Sequence, residues 1–311
     1  MHKTILEEIQ KADIITIFRH QLADSDAMGS QLGLATWIRE TYPEKQVYCC
    51  GMMSPVSSKF VDHLDEVSDE TIASSLAILL DTSNLARVSD SRFSLAKHSI
   101  RIDHHVKIEE ICDIEWIDEK ASATCEMVPL LFKENDIKIS ARAAQYFYCG
   151  LIADNIRFSI ASVRKETFEV AAYLIECGVD VLKANELNFS ISLSDYQYET
   201  KVRNQSQVMN KCMYAIMERE DYQSCGQTYE NAKDKVYCLS GIQEIEIWAL
   251  FTKMKDSELY ACSLRSKTKN VRDIASSFGG GGHVCACGIK NITIEQVHEI
   301  IDCISKRSIE N

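Results

Sequence analysis

S-I-R-I-D-H-H, residues 99–105, is a short β-branched run that ends by setting one carboxylate beside two imidazoles. Its apolar part reads as a buried strand, since β-branched residues suit a pleated, covered surface. Asp103, His104 and His105 then read either as a polar turn or as one piece of a metal site completed from elsewhere in the chain. Neighbouring segments weigh on that choice, because the same arrangement recurs.

I-I-T-I-F (14–18) runs into R-H-Q-L-A-D-S-D-A-M-G-S, which offers His20, Asp24 and Asp26. L-A-I-L-L (76–80) ends directly in Asp81, and the apolar run C-G-L-I-A-D-N (149–155) ends in Asp154. V-Y-C-C (47–50) is a further strand candidate, and helical patterns lie at 30–40, 140–152 and 165–177. Alternation of this kind predicts an α/β fold with a parallel sheet flanked by helices. In such sheets, groups beyond the carboxyl ends of the strands converge on one crevice. Taken singly, each aspartate is as readily a helix cap or turn residue. Recurrence at the end of four apolar runs favours a shared metal site. The set is oxygen and nitrogen with no thiolate, which suits Mn(II), with Mg or Co as substitutes. Six ligands are too many for one ion, so two ions sharing a bridging carboxylate are expected.

From about 186 to 210 the pattern is polar and helical, and a second set of strand-like segments follows: M-Y-A-I-M (213–217), K-V-Y-C-L (235–239), E-I-W-A-L-F (246–251) and L-Y-A-C-S-L (259–264). The expected organisation is a catalytic domain over 1–188, a linker helix over 189–208 and a smaller α/β domain over 209–311, with the active site in the cleft between the domains. Within the last segment, F-G-G-G-G-H-V-C-A-C-G (278–288) reads as a loop whose backbone amides approach an anion. Packing does not account for four consecutive glycines on this reading. Gly280, Gly281, Gly282 and His283, together with Arg265 and Ser266 of S-L-R-S-K, form the candidate substrate-holding group.

Composition sets bounds. The chain has 311 residues, 46% hydrophobic and 26% charged, with a net charge of −12. That balance speaks against binding long nucleic acid, which relies on many Lys/Arg–phosphate contacts, and leaves room for a small anion held by local positive charge. No apolar run approaches the length of a membrane span, and the first residues lack a signal-peptide core, so a cytoplasmic protein without membrane partners is expected. Thirteen scattered cysteines without paired spacings argue against a disulfide framework, and Cys285-Ala-Cys287 is a weak redox motif.

The ordered series H-x-x-x-D-x-D-A-x-G-S, D-T-x-N, D-H-H, an aspartate motif at 154 and G-G-G-H resembles the DHH phosphoesterases that carry a DHH-associated C-terminal domain. F-R-H-Q, R-E-T-Y-P-E-K and S-A-T-C-E-M extend the likeness over nearly the whole chain, closest to the nanoRNase branch of oligoribonucleases and pAp phosphatases. The resemblance implies that His20 and Asp24 serve one Mn(II), that Asp26, His104 and Asp154 serve a second, and that Asp81 bridges. It places His105 at the scissile phosphate and Asp103 behind His104. Arg265, Gly281 and His283 would hold the other phosphate or the nucleotide end, with Arg157 also a substrate contact. The implied reaction releases mononucleotides from very short RNA and removes the 3′-phosphate of pAp; homodimers are common among such relatives. Two positions depart from the pattern. Ala23 replaces a proline, and Asn155-Ile156 replaces Thr-Gly, where isoleucine resists a positive φ. A manganese pyrophosphatase, a cyclic- or linear-dinucleotide phosphodiesterase and a catalytically weak nucleotide-binding relative are the alternatives. The glycine–histidine loop disfavours the first, and Asn155-Ile156 alone supports the last.

Overall fold

The β-branched runs pair because each is apolar on both sides and finds cover only inside a sheet with helices on its two faces. In the computed structural model, which describes residues 2–310, the chain divides into two units, one ending at Ser190 and the other beginning at Ile191.

The first unit runs α1 (His2–Lys11), β1 (Ile14–Phe18), α2 (Ser25–Thr41), β2 (Gln46–Cys49), α3 (Asp69–Ser74), β3 (Leu76–Leu80), β4 (His98–Asp103), β5 (Ile114–Ile117), α4 (Thr124–Glu134), α5 (Ala141–Asp154), α6 (Lys165–Glu176) and α7 (Val181–Phe189). All its strand pairs are parallel, in the order β2-β1-β3-β4-β5. The strand order reverses between β1 and β3, so the switch point where α/β sheets place ligands lies between the segments that carry His20 and Asp81. Alternation along β1 sends Ile15 and Ile17 to the main core and Phe18 to a smaller cluster with Leu79 and Phe93 on the other face. β5, I-E-W-I, escapes sequence reading because its polar glutamate and position at the sheet edge weaken the apolar signal.

Behind the sheet's carboxyl end, the first turn of α4 holds a fully buried carboxylate. Glu126 accepts from Ser122 N (3.0 Å), Ser122 Oγ (2.7 Å), Thr167 Oγ1 (2.7 Å) and Arg164 Nε (2.7 Å). Arg164 continues to Asp118 at 2.6 Å. This network ties α4 to α6 and to the loop after β5.

The second unit comprises α8 (Leu193–Gln205), β6 (Gln207–Met209), β7 (Cys212–Met217), α9 (Arg219–Gln223), α10 (Tyr229–Lys233), β8 (Ile247–Lys253), β9 (Tyr260–Ser266), α11 (Arg272–Ser277), β10 (Gly281–His283), β11 (Ala286–Ile292) and α12 (Ile294–Arg307). Its sheet is mixed, in the order β10-β11-β9-β8-β7-β6, with only β7 and β8 parallel. One face is covered by α11 and α12, while the other packs against Tyr198 and Val202 of α8 and Tyr222 of α9. Thus most of the segment expected as a linker helix is part of this unit's core. K-V-Y-C-L, expected as a strand, is a 3₁₀ turn that buries Val236, Cys238 and Leu239. A short apolar run has no periodicity to separate these states, and here α10 ends immediately before it. All thirteen cysteines are free thiols. Among the described residues no helix is long and apolar enough to cross a membrane.

Removing the Glu126 carboxylate leaves the Nε of Arg164 and two hydroxyls without their acceptor, with Asp118 the partner that Arg164 keeps. Glu126→Ala is expected to destabilise the first unit by about 3–5 kcal/mol. Thermal unfolding should show Tm lowered by roughly 6–20 °C.

Candidate metal centre

Asp24 N-caps α2: its Oδ1 accepts from Asp26 N and Ala27 N, both at 3.0 Å, while Oδ2 lies 3.7 Å from His20 Nε2. The capping and metal readings of this residue are therefore compatible, one oxygen for each. Asp26, fully buried in the same turn, receives the amides that open α4, Thr124 N at 2.7 Å and Cys125 N at 2.8 Å. Those donors, at a helix N-terminus, favour its charged form.

Asp81 follows β3 with φ +51°, a left-handed conformation that aspartate tolerates better than most residues. Its Oδ2 is 3.3 Å from His20 Nε2 and its Oδ1 is 3.4 Å from His104 Nε2, so one carboxylate faces an imidazole on each side. Asp154 Oδ2 approaches His104 Nε2 at 3.3 Å, and Asp26 Oδ2 does so at 3.8 Å. Asp154 sits at the C-terminus of α5, not after a strand, and Gly150 lets that helix close onto α2: a Cβ there would lie 2.9 Å from Asp26 Cα. Three groups of donor atoms result, each within 4.8 Å: His20–Asp24–Asp81, Asp26–His104–Asp154 and Asp81–His104–His105. The six residues singled out as ligands in the sequence thus meet in one place.

Charge in this cluster is frustrated. Burial, then the neighbouring carboxylates of Asp81 and Asp154, pushes the Asp26 carboxyl well above its ordinary range. Burial followed by Asp81 lifts Asp154 to about 7. Burial disfavours the imidazolium of His20, yet its contacts with Asp24 and Asp81 outweigh this and raise it to about 10. His104 is raised likewise, with burial outweighed by Asp81 and Asp26. Asp81 is the one driven down: burial opposes its ionisation, and His104 and His20 override it. A group of acids that keeps protons for want of positive charge is the chemistry a divalent cation satisfies, with proton release. The donors are hard or borderline; the nearby Cys125 thiol is buried, pushed well up, and bonded to Asp26 O. These residues fit a hard divalent ion.

The D-H-H segment is arranged differently from the implied one. Asp103 Oδ1 accepts from His105 Nδ1 at 2.7 Å, whereas His104 Nδ1 lies 3.4 Å from Ala121 O. Asp103 therefore orients His105, not His104. Arg101, fully buried on the same strand face two residues earlier, donates to Asp103 Oδ2 at 2.6 Å and to Ser83 O at 3.0 Å. Burial opposes ionisation of Asp103, but His105 and Arg101 hold it below the usual carboxylate range. A second buried arginine, Arg19, bonds Gln31 Oε1 (3.0 Å), His20 O (3.2 Å) and Met52 O (2.9 Å). Sequence reasoning passed over both arginines; the period-2 spacing of Arg101 and Asp103 was the signal available.

Behind Asp154, Ile156, Arg157 and Phe158 all take positive φ, +48°, +55° and +63°. Isoleucine thus adopts the conformation that glycine would have accepted freely, and Asn155 Oδ1 closes the turn by accepting from Phe158 N at 2.8 Å. Arg157 is exposed and lies 4.2 Å over the Phe189 ring, while Phe158 stacks on Phe168.

In the second unit, strand register puts His283, Ala286, Arg265 and Trp248 in one cross-strand row, hence on one face. Arg265 and His283 stand roughly 9–10 Å apart with small Ala286 between them. Arg265 Nη1 donates to Leu264 O at 2.9 Å and Cys287 O at 3.1 Å. Ser266 belongs to the opposite face, buried, with its hydroxyl given to Lys269 O, so it is not part of this group. Two of the glycines serve packing after all: a Cβ on Gly280 would sit 2.4 Å from Gly288 O, and one on Gly282 would sit 2.3 Å from Ala286 O. Gly281 alone of the three faces open space.

Comparison with known proteins agrees with this architecture. Residues 14–151 match the N-terminal domain of the DHH family and residues 210–308 match the DHHA1 domain. The bifunctional oligoribonuclease and PAP phosphatase NrnA of Bacillus subtilis is 30% identical, over 97% of this chain and 96% of the relative. An uncharacterized protein of Mycoplasma pneumoniae is also 30% identical, over 90% and 86% respectively. An exopolyphosphatase-related protein from Bacteroides fragilis superposes with a TM-score of 0.79 at 22% identity, over 98% and 95% of the two chains.

The left-handed Ile156 carries a conformational cost of about 1–2 kcal/mol, against about 0.5–1 kcal/mol for the added chain freedom of glycine. Ile156→Gly is therefore expected to raise Tm by roughly 1–4 °C in a thermal melt. An unchanged or lowered Tm would show that the turn stores no strain.

Proposed function

The chain belongs to the DHH family, and on that premise we propose that it is a metal-dependent phosphoesterase that hydrolyses very short RNA, dinucleotides included, to mononucleotides and removes the 3′-phosphate of pAp. The observation that carries the reading is the Asp81 carboxylate set between His20 and His104 within a six-residue donor cluster. The 30% identical B. subtilis relative supports the substrate class. The protein works in the cytoplasm on this reading, where such fragments arise.

His20, Asp24 and Asp81 would hold one Mn(II), and Asp26, His104 and Asp154 would hold another, with Asp81 placed to serve both. Divalent cations bound there would supply positive charge against the phosphodiester and lower the pKa of water in the site. The protein's own part is orientation. Arg101 keeps Asp103 ionised, and Asp103 fixes the proton of His105 on Nδ1. That leaves His105 Nε2 to meet the phosphate and, when it carries the second proton of an imidazolium, to give it to the departing sugar oxygen as the P–O bond breaks. Arg157, exposed three residues beyond Asp154, adds positive charge beside the reacting group. Arg265, Gly281 and His283 hold the remaining phosphate or the nucleotide end, a need made sharper by the chain's net charge of −12.

The test is turnover of 5′-labelled dinucleotide, five-nucleotide RNA, pAp, cyclic dinucleotide and pyrophosphate with Mn(II), Mg(II) or EDTA. Mononucleotide release from dinucleotide and short RNA with Mn(II), abolished by EDTA, is expected. His105→Ala should lower kcat about 10²–10⁴-fold. No release with either metal, or release in EDTA, would refute the assignment. Metal content checks the shared carboxylate: Asp81→Ala should lose both ions and Asp24→Ala one, by calorimetric titration with Mn(II). Equal losses in the two variants would refute the bridging role.

A further inference from the structure

Helix α5 brings Asp154 to the metal centre at one end and, at the other, walls a separate cavity of about 510 Å³. The cavity lies wholly in the first unit, open to solvent on one side and bounded elsewhere by α7, the turn before it and the 3₁₀ turn at 57–59. Its size is that of a small-molecule site. Two half-buried aromatic rings, Phe60 and Tyr146, line it with centroids 6.4 Å apart and planes tilted by 32°. Lys59, Arg142 and Lys183 bring three positive charges to its walls. Asp180 brings one negative charge, and its Oδ1 is engaged in capping α7, accepting from Lys183 N at 2.9 Å. Gln145 is likewise occupied, exchanging hydrogen bonds with the Asp180 backbone at 3.1 and 2.8 Å. On a chain of net charge −12, this is a local reversal of sign.

Aromatic faces beside a cluster of Lys and Arg recognise an anion that carries a flat ring. We infer that this cavity binds a nucleotide, with its base against Phe60 and Tyr146 and its phosphate among Lys59, Arg142 and Lys183. Binding follows from the cavity itself; the source of the nucleotide rests on the phosphoesterase reading. It is either a free mononucleotide product or the far end of an oligonucleotide whose other end is at the metal centre. The two places are mechanically joined. Tyr146 and Asp154 are eight residues apart on α5, about 12 Å along its axis. Asn188, next to the cavity residue Leu187, donates to Cys149 O at 2.9 Å and accepts from Ser25 Oγ at 2.6 Å, and Ser25 lies between Asp24 and Asp26.

The experiment uses the full chain with Mn(II) and the charge-reversal variant Arg142→Glu/Lys183→Glu, both residues being exposed. AMP binding is measured by calorimetry, and KM is measured on dinucleotide and on five-nucleotide RNA. At least a tenfold loss of one AMP site with both KM values unchanged supports the free nucleotide. At least a tenfold rise in KM for the five-nucleotide RNA, with dinucleotide unaffected, supports the oligonucleotide end. Unchanged AMP binding and unchanged KM on both substrates overturn the inference. If wild type cleaves no RNA yet the variant still loses an AMP site, the substrate assignment fails and the nucleotide cavity stands.

Discussion

Four carboxylates that share one largely buried space repel one another, and the first unit is organised around containing that repulsion. Asp81 is the pivot, with an imidazole held against each of its oxygens. Asp26 is restrained differently, by the two amides that open α4. The loops after β1 and β3, the entry of α2, the start of α4 and the end of α5 all meet here. Protons on the imidazoles and on Asp154 relieve part of the repulsion, but at the cost of the charge that catalysis uses. Positive ions relieve it without that cost, which is why divalent-metal dependence follows from the arrangement.

Around the cluster stands an outer tier of buried charge. Arg101 braces Asp103, Arg19 binds the carbonyls of His20 and Met52, and Arg164 joins Glu126 to Asp118. Buried ions are expensive unless nearly every donor is satisfied. Their use here fixes the loops that leave β1, β3, β4 and β5. Orientation of the reacting groups thus depends on residues that contact no substrate.

The sequence revealed the parts of this design that are local. Apolar runs leading into histidine or aspartate marked β1, β3 and β4, and the candidate ligand set followed because loops after parallel strands converge. Asp154 was found for its place after an apolar run, though the run is a helix. What stayed hidden depends on partners distant in the chain. Glu126 and Arg164 are 38 residues apart, and nothing near either identifies the other. The glycine run misled because a Cβ on Gly280 or Gly282 would strike the backbone of β11, a strand the apolar pattern did not reveal. Ser266 could have been separated from Arg265 by strand alternation alone. Asp103 was assigned to the wrong histidine because side-chain direction at a strand end is not set by spacing.

The candidate ligands are spread from residue 20 to residue 154, all within a unit that has its own hydrophobic core. That spacing gives the protein a timetable during its own synthesis. His20, Asp24 and Asp81 are all present once residue 81 has been added, whereas the group of Asp26, His104 and Asp154 waits for residue 154, so no partial chain that stops before Asp154 holds the whole set. The sequence runs on for 157 residues past Asp154. At about 5–20 residues per second this is an interval on the order of ten seconds. Once Asp154 and the helices behind it have cleared the ribosome, the first unit can fold and complete its candidate metal centre while the rest of the second is still being made.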